Sequence, residues 1–258
     1  MRGNKQNINI ILFIIFSITI LYILYYLCET NEYFEESIRT RTLNNDGFCV
    51  LYNTDYSKRT QNEPCIKLVN DVLKNLPNNY VFIDYIYKIQ NGSLSTFHRD
   101  VTSSKHNYNT KYPIYTLILY KYDGDLLSLC PGSNKTYPFA WSSIININGK
   151  SGTCFLFDSD LLHAGCLNNC KKREVIQYKL CHKDDLHMLN HLQNVRMDKN
   201  TKCEESSYYH IMRKLSYFFE MPINYFLYPL MINRKPDNTF MGMVQSIIPI
   251  SFYNNNNV

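Results

Sequence analysis

Between Tyr80 and His182 the sequence is a succession of short β-branched and aromatic runs, and few folds accept that pattern. The runs cover 80–90 (YVFIDYIYKIQ), 94–101 (LSTFHRDV), 112–122 (YPIYTLILYKY), 126–134 (LLSLCPGSN), 142–150 (SSIININGK), 152–165 (GTCFLFDSDLLHAG) and 173–182 (REVIQYKLCH). Asn91-Gly92, Asp123-Gly124 and Pro131-Gly132 punctuate them as turns. The expected fold class is therefore mainly β with flanking helices, of the jelly-roll or cupin-like type.

The flanks differ in texture. Ile8 to Leu27 carries no charge, and as a helix its 20 residues would reach about 30 Å, the thickness of a bilayer core. It ends in Tyr25, Tyr26, Leu27 and Cys28 rather than in small residues, which favours an uncleaved anchor over a signal peptide. Arg2 and Lys5 precede the run and Glu29, Glu32, Glu35 and Glu36 follow it. The positive-inside rule then keeps the N-terminus cytosolic and the remainder luminal, a type II single-pass arrangement. The sequons at Asn91 and Asn134 are compatible with a lumen, as are nine cysteines, of which Cys166 and Cys170 either pair or remain ordinary buried thiols.

After the anchor (1–28), residues 29–42 read as a polar helical stem. "LNNDGFCVLYN" (43–53) reads as a turn and a short strand, and Ile66, Val69, Val72, Leu73 and Leu76 have helical spacing within 63–76. A β domain over 43–184 precedes a helical, aromatic-rich extension over 185–258. Within the extension, 185–199 reads as an amphipathic helix. The segment 208–232 contains Glu220, Pro222 and Pro229, so it is expected to cover the barrel rather than span a membrane. Asn254–Asn257 is a polar tail. The net charge of +5 is spread along the chain without a basic block, so nucleic acid is not an expected partner.

His98 and Asp100, at i and i+2 on a strand, point to one face, where an imidazole and a carboxylate can grip one metal ion. His163, at the end of another apolar run, is the best third ligand. Two His and one carboxylate with open positions opposite form the facial triad of non-haem Fe(II) oxygenases. Arg173 lies ten residues on (173 − 163 = 10), where a hairpin returns it to the barrel mouth to hold a carboxylate bidentately. Competing groups carry less. His187 and His191 lack the Glu of a zinc-protease helix, while His182 with Asp184 and Asp185 reads as a polar turn. Asp158 and Asp160 read as turn formers, and His106 is near the site by sequence only.

This order of residues resembles the Fe(II)/2-oxoglutarate-dependent dioxygenases. "LNNDGFCVL", "LLSLCPGSNKTY" and "GTCFLFDSDLLHAG" are similar to segments of their phytanoyl-CoA dioxygenase-like branch, over roughly 43–182. The resemblance implies a double-stranded β-helix, Fe(II) held by His98, Asp100 and His163, and 2-oxoglutarate held by Arg173. It implies hydroxylation of a C–H bond by O2, with 2-oxoglutarate converted to succinate and CO2. Thr116, Tyr115 and Lys88 are further co-substrate candidates by location. Asn134, Thr153 and Val175 depart from the branch at positions where it usually has His, Asp and, in some members, Ser. "HAG" is also similar to prolyl hydroxylases, which use Lys at the Arg position, and Lys171 and Lys172 adjoin Arg173. The expected substrate is a small molecule or lipid. A prolyl/lysyl-type peptidyl hydroxylase and an inactive jelly-roll binding module are the alternatives.

Overall fold

The computed structural model describes residues 10–22, 33–34, 40–58, 62–92, 96–140, 142–166, 173–201 and 207–220. The chain divides into two compact units, Met1–Asn31 and Glu32–Val258. In the first, residues 10–22 are helical (α1) with exposed apolar side chains such as Phe13 and Phe16. Among the described residues no helix is long and apolar enough to cross a membrane. Ile8, Asn9 and residues 23–27 of the expected span lie outside them, so α1 covers only about 20 Å at the helical rise.

The second unit is built on two sheets. The larger contains β2 (Phe48–Tyr52), β3 (Tyr80–Phe82), β4 (Tyr85–Asn91), β5 (Tyr115–Tyr120), β8 (Thr153–Asp158), β10 (Glu174–His182) and β11 (Val195–Thr201). Its order is β11-β4-β10-β5-β8-β2, with β3 paired to β10 beside β4. The smaller sheet has the order β1-β7-β6-β9, from β1 (Tyr33–Phe34), β6 (Gly124–Leu129), β7 (Ile145–Gly149) and β9 (His163–Gly165). The arrangement is jelly-roll-like.

Period-two alternation in the central strands explains both cores. Leu117 and Leu119 of β5 and Ile176, Tyr178 and Leu180 of β10 turn outward. They pack under α3 (Ile66–Lys74), which buries Leu68 and Val72. Ile118, Tyr120 and Val175 turn inward and meet Leu127, Leu129, Ile145 and Ile147 of the smaller sheet. Burying a side chain such as Leu68 contributes about 1.5–3 kcal/mol, so Leu68→Ala would detach α3 from the sheet before it disturbed the inner core. The inner face of β10 carries Arg173, Val175, Gln177 and Lys179 in sequence, with polar groups among apolar strands.

Several expectations are corrected. The stem contributes a strand: Tyr33–Phe34 pairs in parallel with β7, and residues 35–39 lie outside the described ones. Residues 43–53 are the turn and short strand expected: one helical turn (α2, Leu43–Asp46) leads into β2 at Phe48. Gly47 closes that turn at φ 81, and a Cβ there would collide with Asn134. Residues 96–101 are not a regular strand: His98 makes one isolated bridge before a 3₁₀ turn at Val101–Ser103, and 94–95 of the expected strand are outside the described residues. A helix α4 (Lys105–Tyr108) follows. The expected helix over 185–199 is a 3₁₀ segment, Lys183–Leu192, kinked at Leu189 and followed by β11. Asn194 at φ 61 makes the break, and pairing with β4 outweighs the amphipathic pattern. Helix α5 (Ser207–Phe218) packs against the β unit, while 221–258 lie outside the described residues. Cys166 is buried with its Sγ 3.3 Å from Ser128 Oγ, and Cys170 lies outside the described residues. The Asn134 amide nitrogen, the atom a glycan would need, donates to Asp158.

Candidate metal centre

His98 and His163 come from segments far apart in sequence and meet as a backbone pair. Each N–H donates to the other's carbonyl, at 2.9 and 3.0 Å. The Asp100 N–H donates to the Ser159 carbonyl at 2.9 Å and so joins the same strand ends. One ligand-capable atom each of His98, Asp100 and His163 lies within 4.8 Å of the others. Asp100 Oδ1 is 3.9 Å from His98 Nε2 and 3.8 Å from His163 Nε2. Ligands at roughly 2.1 Å from a common ion stand about 3 Å apart in cis, so small side-chain rotations close the set on a metal.

The imidazoles are oriented by the backbone. His98 Nδ1 is 2.9 Å from the Thr96 carbonyl and His163 Nδ1 is 2.9 Å from the Leu161 carbonyl. With Nδ1–H donating outward, both Nε2 lone pairs face the centre. Burial, reinforced by the neighbouring His98, pushes His163 down to about 3, so the ring is neutral and able to ligate at physiological pH. Burial likewise lowers His98.

Asp100 is held in the opposite sense. Burial alone raises a carboxyl, but the Lys179 ammonium and the two imidazoles hold it well below the ordinary range. Its Oδ2 accepts from Thr116 Oγ1 at 2.5 Å, Lys179 Nζ at 2.6 Å and Gln177 Nε2 at 3.3 Å. Lys179 Nζ also reaches Ser103 and Thr116 hydroxyls, each at 2.8 Å. Oδ2 is thereby saturated, and Oδ1 is the oxygen left for an ion.

These groups line a cavity of about 840 Å³ whose walls also include Tyr87, Ile89, Ile118, Tyr120, Val175 and Met197. Arg173 lines the same cavity and is 5% exposed. Its Nη1 donates to the Gly92 carbonyl at 2.7 Å, and the Tyr120 ring lies 5.9 Å away. Its Nε is buried without a hydrogen-bond partner. The Tyr120 and Tyr122 side chains also hydrogen-bond to the guanidinium, so Arg173 is a positive group fixed in the cavity wall.

The sequence-derived candidates thus divide. His98, Asp100, His163 and Arg173 share one cavity. Thr116 faces inward but is occupied by Asp100 and Lys179. Tyr115 and Lys88 lie elsewhere, because alternation sends them to the opposite face. Tyr115 packs 5.3 Å from Tyr80 in the outer core, and Lys88 pairs with Glu174 at 3.7 Å. Lys171 and Lys172 are outside the described residues. Of the competing histidines, His182 is held between Tyr80 and Tyr112, His191 bonds the Thr102 carbonyl, and His106 stacks on Tyr137. Lys179 and Gln177 went unnoticed in the sequence. Their signal is the spacing 173, 175, 177, 179, which puts a lysine on the inward face of a strand otherwise rich in apolar residues.

No family model matches the sequence, and no curated protein matches it. Solved structures do align with part of the chain. AviO1 from Streptomyces viridochromogenes Tue57 aligns at 12% identity and TM-score 0.40, over 58% of this chain and 96% of that one. EvdMO1 aligns at 13% and 0.38, over 56% of this chain and 49% of that one, about half its length. SnoN, described as a non-heme alpha ketoglutarate dependent epimerase from nogalamycin biosynthesis, aligns at 11% and 0.37, over 57% and 82%.

Proposed function

We propose that the chain is a non-haem Fe(II)/2-oxoglutarate-dependent oxygenase that hydroxylates a C–H bond. The observation that carries this reading is the meeting of two imidazole Nε2 atoms and one carboxylate oxygen in a cavity that also holds Arg173, with Nε unpartnered. The donor set, two nitrogens and one oxygen on one side, fits Fe(II) with open positions opposite. When bound, Fe(II) with 2-oxoglutarate and O2 supplies the oxidising chemistry, converting C–H to C–OH while 2-oxoglutarate yields succinate and CO2.

The protein's part is positioning. The Thr96 and Leu161 carbonyls fix the imidazole tautomers, and the three donors on Asp100 Oδ2 turn Oδ1 to the centre. Arg173 receives the distal carboxylate of 2-oxoglutarate. Ile118, Tyr120 and Val175 keep that end dry, which strengthens the ion pair. The apolar walls leave room for a small-molecule or lipid substrate, and the proposed branch is the phytanoyl-CoA dioxygenase-like one. The proposal includes membrane anchoring through Ile8–Leu27 with the β unit luminal. The exposed apolar side chains of α1 support it.

The test uses the full-length chain in detergent, loaded anaerobically with Fe(II) and titrated with 2-oxoglutarate. A weak visible charge-transfer band that disappears in His98→Ala is expected. A folded, metal-competent protein without the band would overturn the co-substrate assignment and favour a binding module. Arg173→Ala is expected to raise the 2-oxoglutarate requirement without abolishing metal binding. Carbonate washing of membranes leaves the full chain in the pellet, whereas release would remove the anchor and leave the oxygenase reading intact.

A further inference from the structure

Helix α5 presents the wrong face to the protein for a helix held by burial. Arg213, Ser216 and Tyr217, at i, i+3 and i+4, share one side of the helix, and Glu220 follows two residues past its end. Arg213, Tyr217 and Glu220 are buried, while Ile211, Leu215 and Phe219 are exposed. Apart from the Tyr217 ring, this inward stripe contributes little burial energy. What it contributes is fixed hydrogen-bond geometry.

That geometry converges on the segments that carry the candidate ligands. The Phe97 N–H donates to Ser216 Oγ at 2.8 Å, one residue before His98. Arg99, between His98 and Asp100, donates from Nε to Glu220, and both side chains are almost wholly buried. Arg99 Nη1 also donates to the Ser133 carbonyl at 2.8 Å and to the Asp160 carbonyl, which ties the pair to the loop before His163. Arg213 Nη1 donates to the Gly165 carbonyl at 3.0 Å, two residues beyond His163, and its guanidinium lies 4.5 Å from the Phe97 ring. The Tyr217 ring lies 5.4 Å from Phe97, and its hydroxyl donates to the Ser142 carbonyl at 2.6 Å. Among the described residues none that lines the cavity belongs to α5, so it acts from behind the candidate ligands. A buried ion pair adds little net stability over an apolar contact of the same volume, but it fixes register. An apolar helix could slide along 96–100; this one is pinned at both ends of the stripe.

We infer that α5 is a positioning element for the candidate metal centre, an inference that rests on the metal reading above. Ser216 and Glu220 hold His98 and Asp100 in place through Phe97 and Arg99, and Arg213 holds His163 through Gly165. The residues are positioning residues and touch no substrate.

The test compares full-length wild type with Glu220→Gln, Ser216→Ala and Arg213→Lys, using Val72→Ala in α3 as a control destabilised far from the centre. Amide hydrogen exchange is measured by mass spectrometry without metal, and Co(II) alone is titrated as the probe. Exchange over 97–100 and 163–165 is expected to accelerate about tenfold in the α5 variants, while β5 and β8 keep wild-type rates. Co(II) affinity is expected to fall about tenfold, the scale of lost support around a ligand, with altered ligand-field bands. Val72→Ala should lower the melting temperature and move neither readout. Exchange in those segments that is unchanged, or raised no more than in Val72→Ala, overturns the inference. Ser216→Ala keeps the ion pair, so the comparison stands even if Glu220→Gln fails to fold. Wild type that takes no Co(II) through His98 would remove the metal reading, and the exchange comparison would still decide whether α5 clamps these segments.

Discussion

Asp100 and Asp158 are both enclosed by protein, and their acidities move in opposite directions. Asp100 faces the Lys179 ammonium, with a hydroxyl and an amide on the same oxygen, and is held well below the ordinary range. Asp158 accepts from the Asn134 amide at 3.0 Å and the Asp160 N–H at 2.9 Å, but the Asp160 carboxylate acts on it more strongly than the His106 ring. Burial, with Asp160 beside it, pushes Asp158 up to about 6. Burial raises both groups; the sign of the nearest charge decides which way each ends. One carboxylate is kept ionised between two imidazoles. The other sits at a structural corner where ionisation costs stability.

The most forceful way to break the contrast is Lys179→Met. It leaves the buried Asp100 without its cation and should cost about 3–5 kcal/mol in urea unfolding. Added Co(II) should raise the melting temperature more in this variant than in wild type, because the ion then supplies the missing positive charge. An equal shift in both would mean that Lys179 and the metal do not share Asp100.

A smaller effect sharpens the other half. The folded value of Asp158 lies above its unfolded value of roughly 3.9, so its contribution to stability is complete below about pH 4 and is lost as pH rises through 6. Asp158→Asn escapes that loss, and its new amide can donate to Asn134 Oδ1, which is buried without a partner. The variant should be more stable than wild type at pH 7.5, with the gap closing below pH 4. A gap independent of pH would show that packing, not ionisation, is responsible. Ser159→Ala is expected to do least, about 1 kcal/mol. Its hydroxyl lies 3.0 Å from both Ser103 and Thr116 and only supports the network around Asp100.

The strands and the central site residues were legible because their signals are local. The alternation in "YTLILY" and "EVIQYKLCH" places Leu117 outward, Ile118 inward and Arg173 on the cavity side. Tyr115 and Lys88 were assigned by location along the chain rather than by face, and alternation sends them away from the cavity. The stretch 185–199 was misread because its apolar spacing suits a helix, while the edge of β4 offers seven residues of parallel pairing to Val195–Thr201. Glu220 and Arg213 were illegible as partners of the site. Nothing in a sequence reports that a residue 121 positions away will find Arg99. Their inward stripe is visible only as a departure from the amphipathic rule, once it is known which side is covered.

The backbone bridge between His98 and His163 also dictates when the centre can come into being. The two residues are 65 positions apart (163 − 98 = 65), so their pairing closes a long loop and follows the formation of nearer contacts. During synthesis from the N-terminus, His98 and Asp100 emerge well before their partner, and Lys179 and Glu220 emerge later still. A nascent chain therefore offers a metal only an imidazole and a carboxylate on an unpinned segment. Any loading of a metal at this set would be a late event, after release of the segment that carries Glu220.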